Sequence, residues 1–147
     1  MRVIGFNLTR MSATKTSEFK SPYAKNTNIE FTGLEEEKID FIKDSDSTKV
    51  SFKFSVDYTH SDKERKKEGK KIGSVEFEGN IVLATSKEET KEIFKAWKKK
   101  ELPMSFKVPL FNLILKKCSI KAVALEEEVG LPLHLPIPQF SPQQSSQ

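Results

Sequence analysis

Val50-Ser51-Phe52-Lys53-Phe54-Ser55-Val56-Asp57-Tyr58 places an apolar residue at every second position, and Val75-Glu76-Phe77-Glu78-Gly79-Asn80-Ile81-Val82-Leu83 repeats the pattern. Successive side chains of a strand point to opposite faces, so each stretch has one apolar face and one mostly polar face. Strands of that kind belong to an antiparallel sheet covered on one side only. The charged, glycine-containing residues 60–71 join them as a hairpin loop.

Working outward from this pair, Ile4, Phe6 and Leu8 alternate with polar or small residues and predict a first strand over about 3–13. Ser21-Pro22 breaks the chain. A second extended region over about 27–42 carries Ile29 and Phe31, then Ile39 and Phe41. Gly33 between them fits a bulge or a division into two strands equally. After the fourth strand the period changes. Ser86 and Glu89 form an S-x-x-E capping box, and Ile93, Phe94 and Trp97 make one apolar stripe that Pro103 ends. A longer helix is predicted from Pro109, taken as its first-turn residue, to Gly130. Strands followed by helices predict an α+β fold: a four-stranded antiparallel sheet with two C-terminal helices packed on one face. The whole reads as one domain over 1–140, with 141–147 a flexible polar tail.

The chain has 147 residues, a net charge of +4 from 25 basic and 21 acidic side chains, and one cysteine. Its mean hydropathy is −0.52. No apolar run reaches the roughly 20 residues of a membrane span. The first residues, Met1-Arg2-Val3-Ile4-Gly5-Phe6, lack a secretory core, so a cytoplasmic address is expected. Cys118, flanked by Leu115, Ile120 and lysines, reads as a half-buried structural thiol. His60 and His134 read as surface residues. The acidic runs Glu35-Glu36-Glu37 and Glu126-Glu127-Glu128 read as solvated charge, because consecutive side chains do not converge. No phosphate loop, nucleophile elbow or metal-ligand spacing is present, so no enzyme, catalytic residue, metal or cofactor is expected. Lys63, Arg65, Lys66, Lys67, Lys70 and Lys71 crowd one loop, which raises nucleic-acid binding. Asp62, Glu64 and Glu68 offset them, and Phe52, Phe54 and Tyr58 serve a core as well as they would a base-stacking platform.

Apolar residues late in the chain exceed what one domain needs. Leu131, Leu133, Leu135, Ile137 and Phe140 stand among Pro132, Pro136 and Pro138, and residues 110, 111, 113, 114 and 115 are all apolar. A helix apolar nearly all round is buried or meets another subunit. Oligomerisation or a site for apolar ligands follows.

In this order of elements the chain resembles the SecB family. Ser17-Glu18-Phe19-Lys20-Ser21-Pro22 is similar to the family's Phe-x-x-Pro segment after the first strand. Residues 106–120 stand where the family has a Phe-Pro-Tyr-Ala-Arg-Glu helix start, keeping only the proline and the apolar positions. Gly130-Leu131-Pro132 through Leu135-Pro136-Ile137-Pro138-Gln139-Phe140 resembles its closing Gly-x-Phe-Pro…Pro-Val-Asn-Phe pattern. The resemblance covers about 3–140. It implies an ATP-independent holdase that binds unfolded or precursor polypeptides, serves protein transport, and assembles as a homotetramer, a dimer of dimers. Clients would lie between the sheet edge, the crossover segment and the second helix. Carried over by position, Phe19, Tyr23 and Leu34 line the crossover side. Phe106, Leu110, Phe111, Leu131, Leu133, Leu135, Ile137 and Phe140 line the helix side. SecA docking is not carried over, because the family members that hand clients to SecA are strongly acidic, whereas this open sheet face sets Lys53 beside Asp57, Glu76 and Glu78. The loop over 60–71 also has no counterpart in the family pattern. Two alternatives stand beside the general holdase: a chaperone dedicated to one partner, such as an antitoxin, and a basic nucleic-acid-binding module.

Overall fold

A computed structural model describes residues 1–37, 46–61, 69–138 and 140–142. Four strands, β1 (Arg2–Lys15), β2 (Tyr23–Glu37), β3 (Asp46–His60) and β4 (Lys71–Thr85), precede two helices, α1 (Lys87–Trp97) and α2 (Met104–Val129). The strands form one antiparallel sheet in the order β1-β4-β3-β2, so the two quoted stretches are its centre and β1 and β2 its edges. Val50, Phe52, Phe54, Val56 and Tyr58 on β3 and Val75, Phe77, Ile81 and Leu83 on β4 are buried beneath the helices. The predicted α+β class and the single covered face are therefore found. Ile39, Phe41 and Ile42, the core of loop 60–71 (residues 62–68) and most of the polar tail lie outside the described residues.

Bulges correct the simple alternation on both edge strands. On β2 Phe31 pairs with Phe52 and Gly33 with Ser51, which leaves Thr32 as the extra residue. The bulge predicted near Gly33 thus falls one residue earlier. It shifts the parity so that Leu34, opposite Val50, shares the helix-covered face with Phe31. On β1 the register shifts between Val3 and Gly5 and again between Leu8 and Arg10. Ile4 is therefore the extra residue of a bulge rather than the first inward member of its strand, and Val3, opposite Leu83, shares that residue's side of the sheet but stays 42% exposed at the edge. Gly79 makes the second β1 bend possible: a Cβ there would lie 2.3 Å from the Asn7 carbonyl oxygen and 3.0 Å from Phe52 Cζ.

The capping box at α1 is present as read, with Ser86 Oγ accepting from the Glu89 N–H at 3.1 Å and Glu89 Oε1 accepting from the Ser86 N–H at 3.0 Å. The start of α2 differs from expectation. The helix begins at Met104, and the Phe106 and Lys107 N–H groups both donate to the Pro103 carbonyl at 2.9 Å. Pro109 lies inside the helix, not in its first turn. Phe106 explains this, because it is buried in the core only if the helix already includes it. Burying a phenylalanine gains roughly 1.5–3 kcal/mol, enough to offset most of the roughly 3 kcal/mol an interior proline costs. Phe106, Leu110, Ile114, Cys118, Ala122 and Glu126 form one buried ridge along α2. The helix ends as read, with Gly130 left-handed at φ 76° and the Leu131 N–H donating to the Glu126 carbonyl at 2.8 Å.

Candidate functional site

The residues proposed for client binding separate into three groups. Phe106, Leu110 and Leu131 are 5%, 1% and 4% exposed. They belong to the core, so the expectation that they line an open groove is corrected. Each has a near neighbour on the α2 ridge or over the sheet, and the apolar pattern could not tell inward from outward positions on a helix apolar on several sides.

The second group gathers where β2 begins and β3 ends. Phe19 lies 5.4 Å from Tyr23 and 6.0 Å from Tyr58 between ring centroids, and Lys15 Nζ sits 5.6 Å above the Phe19 ring. Over them passes the segment after α2. The Tyr58 hydroxyl donates to the Pro132 carbonyl, and Lys25 Nζ donates to the Leu133 carbonyl at 2.9 Å. Glu126 Oε1 accepts from the His134 backbone N–H at 2.9 Å, and the His134 ring Nδ1 lies 2.7 Å from Oε2. Burial and the neighbouring Glu126 push the Tyr58 phenol well above its ordinary value, so it remains a donor.

This latch corrects two readings. Glu126 is fully buried rather than solvated, and the His134 side chain is 3% exposed rather than a surface residue. The signal was available for Glu126: it continues the every-fourth series from Phe106 onward. Nothing in the local sequence pointed to His134, whose partner is set by the turn at Gly130.

The third group faces the edge of the sheet. Phe111 stacks on Phe31 of β2 at 5.0 Å, with Lys107 Nζ 5.5 Å above the Phe111 ring. Ile29, Phe31, Trp97, Leu102 and Phe111 wall a cleft of about 540 Å³ between β2 and the helices, rimmed by Glu30, Lys100, Glu101 and Lys107. Of these only Phe111 was singled out from sequence. Ile29 and Phe31 were legible as alternating strand residues, but their place on an edge strand was not. Leu34 is half-buried against the core beyond the Thr32 bulge. Leu133 is half-buried, whereas Leu135, Ile137 and Phe140 are 42%, 54% and 98% exposed. On α2, Met104, Val108 and Leu115 are exposed apolar residues that run in line with Phe111.

The opposite face of the sheet is charged and largely self-paired. Lys71 Nζ lies 3.0 Å from Asp57 and 3.3 Å from Glu76, Lys53 lies 3.7 Å from Glu76, and Arg10 lies 3.8 Å from Glu78. Burial raises the Glu76 carboxyl, but its hydrogen bond from Lys71 and the surrounding cations outweigh this and hold it below the usual range. Lys70 pairs with Glu18 at 2.8 Å. Phe52, Phe54 and Tyr58 are buried, so they form core and not a base-stacking platform. Cys118 is fully buried, and burial pushes its thiol up to about 11, which makes it a packing residue. Among the described residues no group of three or more His, Cys, Asp or Glu side chains is placed to hold a metal, and no helix is long and apolar enough to cross a membrane.

No family model matches the sequence. No curated protein matches it significantly. Among solved structures, the chain is similar to the SecB-like chaperone of Mycobacterium tuberculosis, solved in complex with a ChAD peptide from the HigA1 antitoxin. The identity is 10%, the TM-score is 0.46, and the match covers 95% of this chain and 90% of that one.

Proposed function

We propose that the protein is an ATP-independent holdase of the SecB type that holds non-native polypeptides along the β2 edge. The observation that carries this reading is the cleft in which an edge strand, Ile29, Phe31, Trp97 and Phe111 meet. An edge strand presents unpaired backbone N–H and C=O groups to an extended chain, and the apolar wall beside it takes alternate side chains. Burying one client Leu or Phe gains roughly 1.5–3 kcal/mol, while ordering client backbone costs roughly 1–2 kcal/mol per residue. One apolar stretch therefore binds weakly, and useful affinity requires several linked stretches on several sites. That requirement favours a homo-oligomer, for which the Met104, Val108 and Leu115 row on α2 supplies apolar surface. The Phe19–Tyr23 cluster and Leu133 extend the apolar path toward the start of β2.

The test is suppression of light scattering from a thermally unfolding model enzyme without nucleotide. Suppression near stoichiometric ratios, weakened by Phe111→Ser, is the expected outcome. No suppression by an intact protein discards general holding. Binding confined to one polypeptide identifies a dedicated chaperone.

A further inference from the structure

The apolar path does not end at the link between α1 and α2. A second cleft of about 510 Å³ lies across residues 98–103 from the first, and the two share Glu101 and Leu102. The link turns at Lys100, whose φ of 58° is left-handed, a conformation that glycine adopts far more readily than lysine. The turn sets consecutive lysines into different clefts. Lys100 lines the β2 side, and Lys99 lines the other beside Lys95. Lys107, above the Phe111 ring, adds a fourth cation. Against these four stand Glu92 and Glu101. Glu30, between the inward Ile29 and Phe31 and in register with Lys53, belongs to the open face of the sheet.

The lysines of this region are also unpaired. Among the described residues, Lys91, Lys95, Lys98, Lys99 and Lys100 have no carboxylate partner, whereas Arg10, Lys53, Lys70 and Lys71 all have one. The helix dipole favours cations at the end of α1. It accounts for Lys95 and Lys98 but not for a lysine in a left-handed turn.

We propose that the two clefts form one path for polypeptide segments with an apolar core and acidic flanks, whose carboxylates pair with Lys95, Lys99 and Lys100. The proposal rests on the holding function assigned to the first cleft. Leu102 beneath the path and Met104, 66% exposed beside it, continue the apolar wall. Apolar walls discriminate poorly between side chains, so selection falls to the charges around them. Opposite charge fixes register and like charge rejects the wrong partner. One exposed ion pair contributes little, but several together give a preference that salt removes.

The experiment uses three labelled peptides with one Leu/Phe core and flanks of Asp/Glu, Ser/Gly or Lys/Arg. Trp97 is the sole tryptophan and lines the first cleft, so a change in its fluorescence places the peptide there. At about 0.1 M salt the acidic-flanked peptide is expected to bind about three- to tenfold more tightly than the neutral one. At about 1 M salt, where the screening length falls to about 3 Å, that ratio is expected to approach one. In Lys95→Gln/Lys99→Gln/Lys100→Gly it is expected to approach one at either salt. Glycine suits the left-handed turn, so an unchanged or higher urea midpoint shows that the fold is kept. Equal binding of all three peptides, preference for the basic one, or a ratio that survives the substitutions overturns the inference and leaves the holding function standing. If no peptide binds and aggregation of a model enzyme is not suppressed, both fall.

Discussion

Glu126 shows how one residue ties two parts of the chain together. Its carboxylate is fully buried at the end of the α2 ridge, bonded to the backbone and ring of His134, which lies beyond the helix turn. Removing a partner from a buried polar group leaves the group desolvated and unpaired, at roughly 1–3 kcal/mol for each. Glu126→Ala strands both the His134 N–H and the imidazole, so a loss of about 2–4 kcal/mol in urea unfolding is expected. Glu126→Gln keeps one carbonyl oxygen for the backbone N–H and is expected to lose visibly less. If the two variants unfold at the same denaturant concentration, the latch contributes through packing and not through its hydrogen bonds. Glu126 also marks a limit of sequence reading. Three consecutive glutamates look solvated, and only the every-fourth series running from Phe106 separates the first from the other two.

At the scale of elements, α1 and α2 start by different physics, and each start predicts a different response. A hydrogen bond from the Ser86 backbone N–H, with a smaller share from the chain's amino group, holds the Glu89 carboxyl below its ordinary value of 4.5. A depressed folded-state value means that the carboxylate's contribution is present above pH 4.5 and fades as pH falls through the lower folded value. Glu89→Gln is expected to be less stable than the parent at neutral pH, with the gap closing in acid. A gap that is constant with pH would assign the effect to helix propensity alone. Helix α2 carries Pro109 in its interior, where the N–H that would bond the Ser105 carbonyl is missing. Pro109→Ala restores that bond at an exposed site and is expected to stabilise by about 1–3 kcal/mol, read as a higher urea midpoint. No gain would mean that the early turn is held by Phe106 in a shape that already accommodates the proline. These elements also show what was legible. The central strands, the capping box and the Gly130 stop were readable because local chemistry decides them. The start of α2 was not, because burial of Phe106 outweighs a local proline signal. Nor was the bulge at Ile4 read, and the one that Gly33 suggested falls at Thr32, since the position of a bulge is set by the partner strand as well as by the residues that bulge.

At the scale of the whole molecule, one cleft of about 540 Å³ is small against an unfolded polypeptide. Under the proposed holding function, retention of a long client depends on how many clefts one particle presents. Linked sites turn later contacts into intramolecular events, so affinity for long chains rises steeply with site number while affinity for a short peptide does not. The apolar row Met104, Val108 and Leu115 is where copies are expected to meet, because three exposed large side chains in line on a helix cannot be satisfied by their own sheet. Val108→Asp/Leu115→Asp places two charges in that contact, and desolvating unpaired charge is prohibitive. The expected outcome is a lower native mass by light scattering, unchanged binding of a short apolar peptide, and much weaker suppression of aggregation of a full-length client. A lower mass with full suppression would show that one cleft suffices and that avidity plays no part. An unchanged mass would move the contact to another surface, and the exposed apolar residues Val3 and Met11 on edge strand β1 would be the next to carry the substitutions.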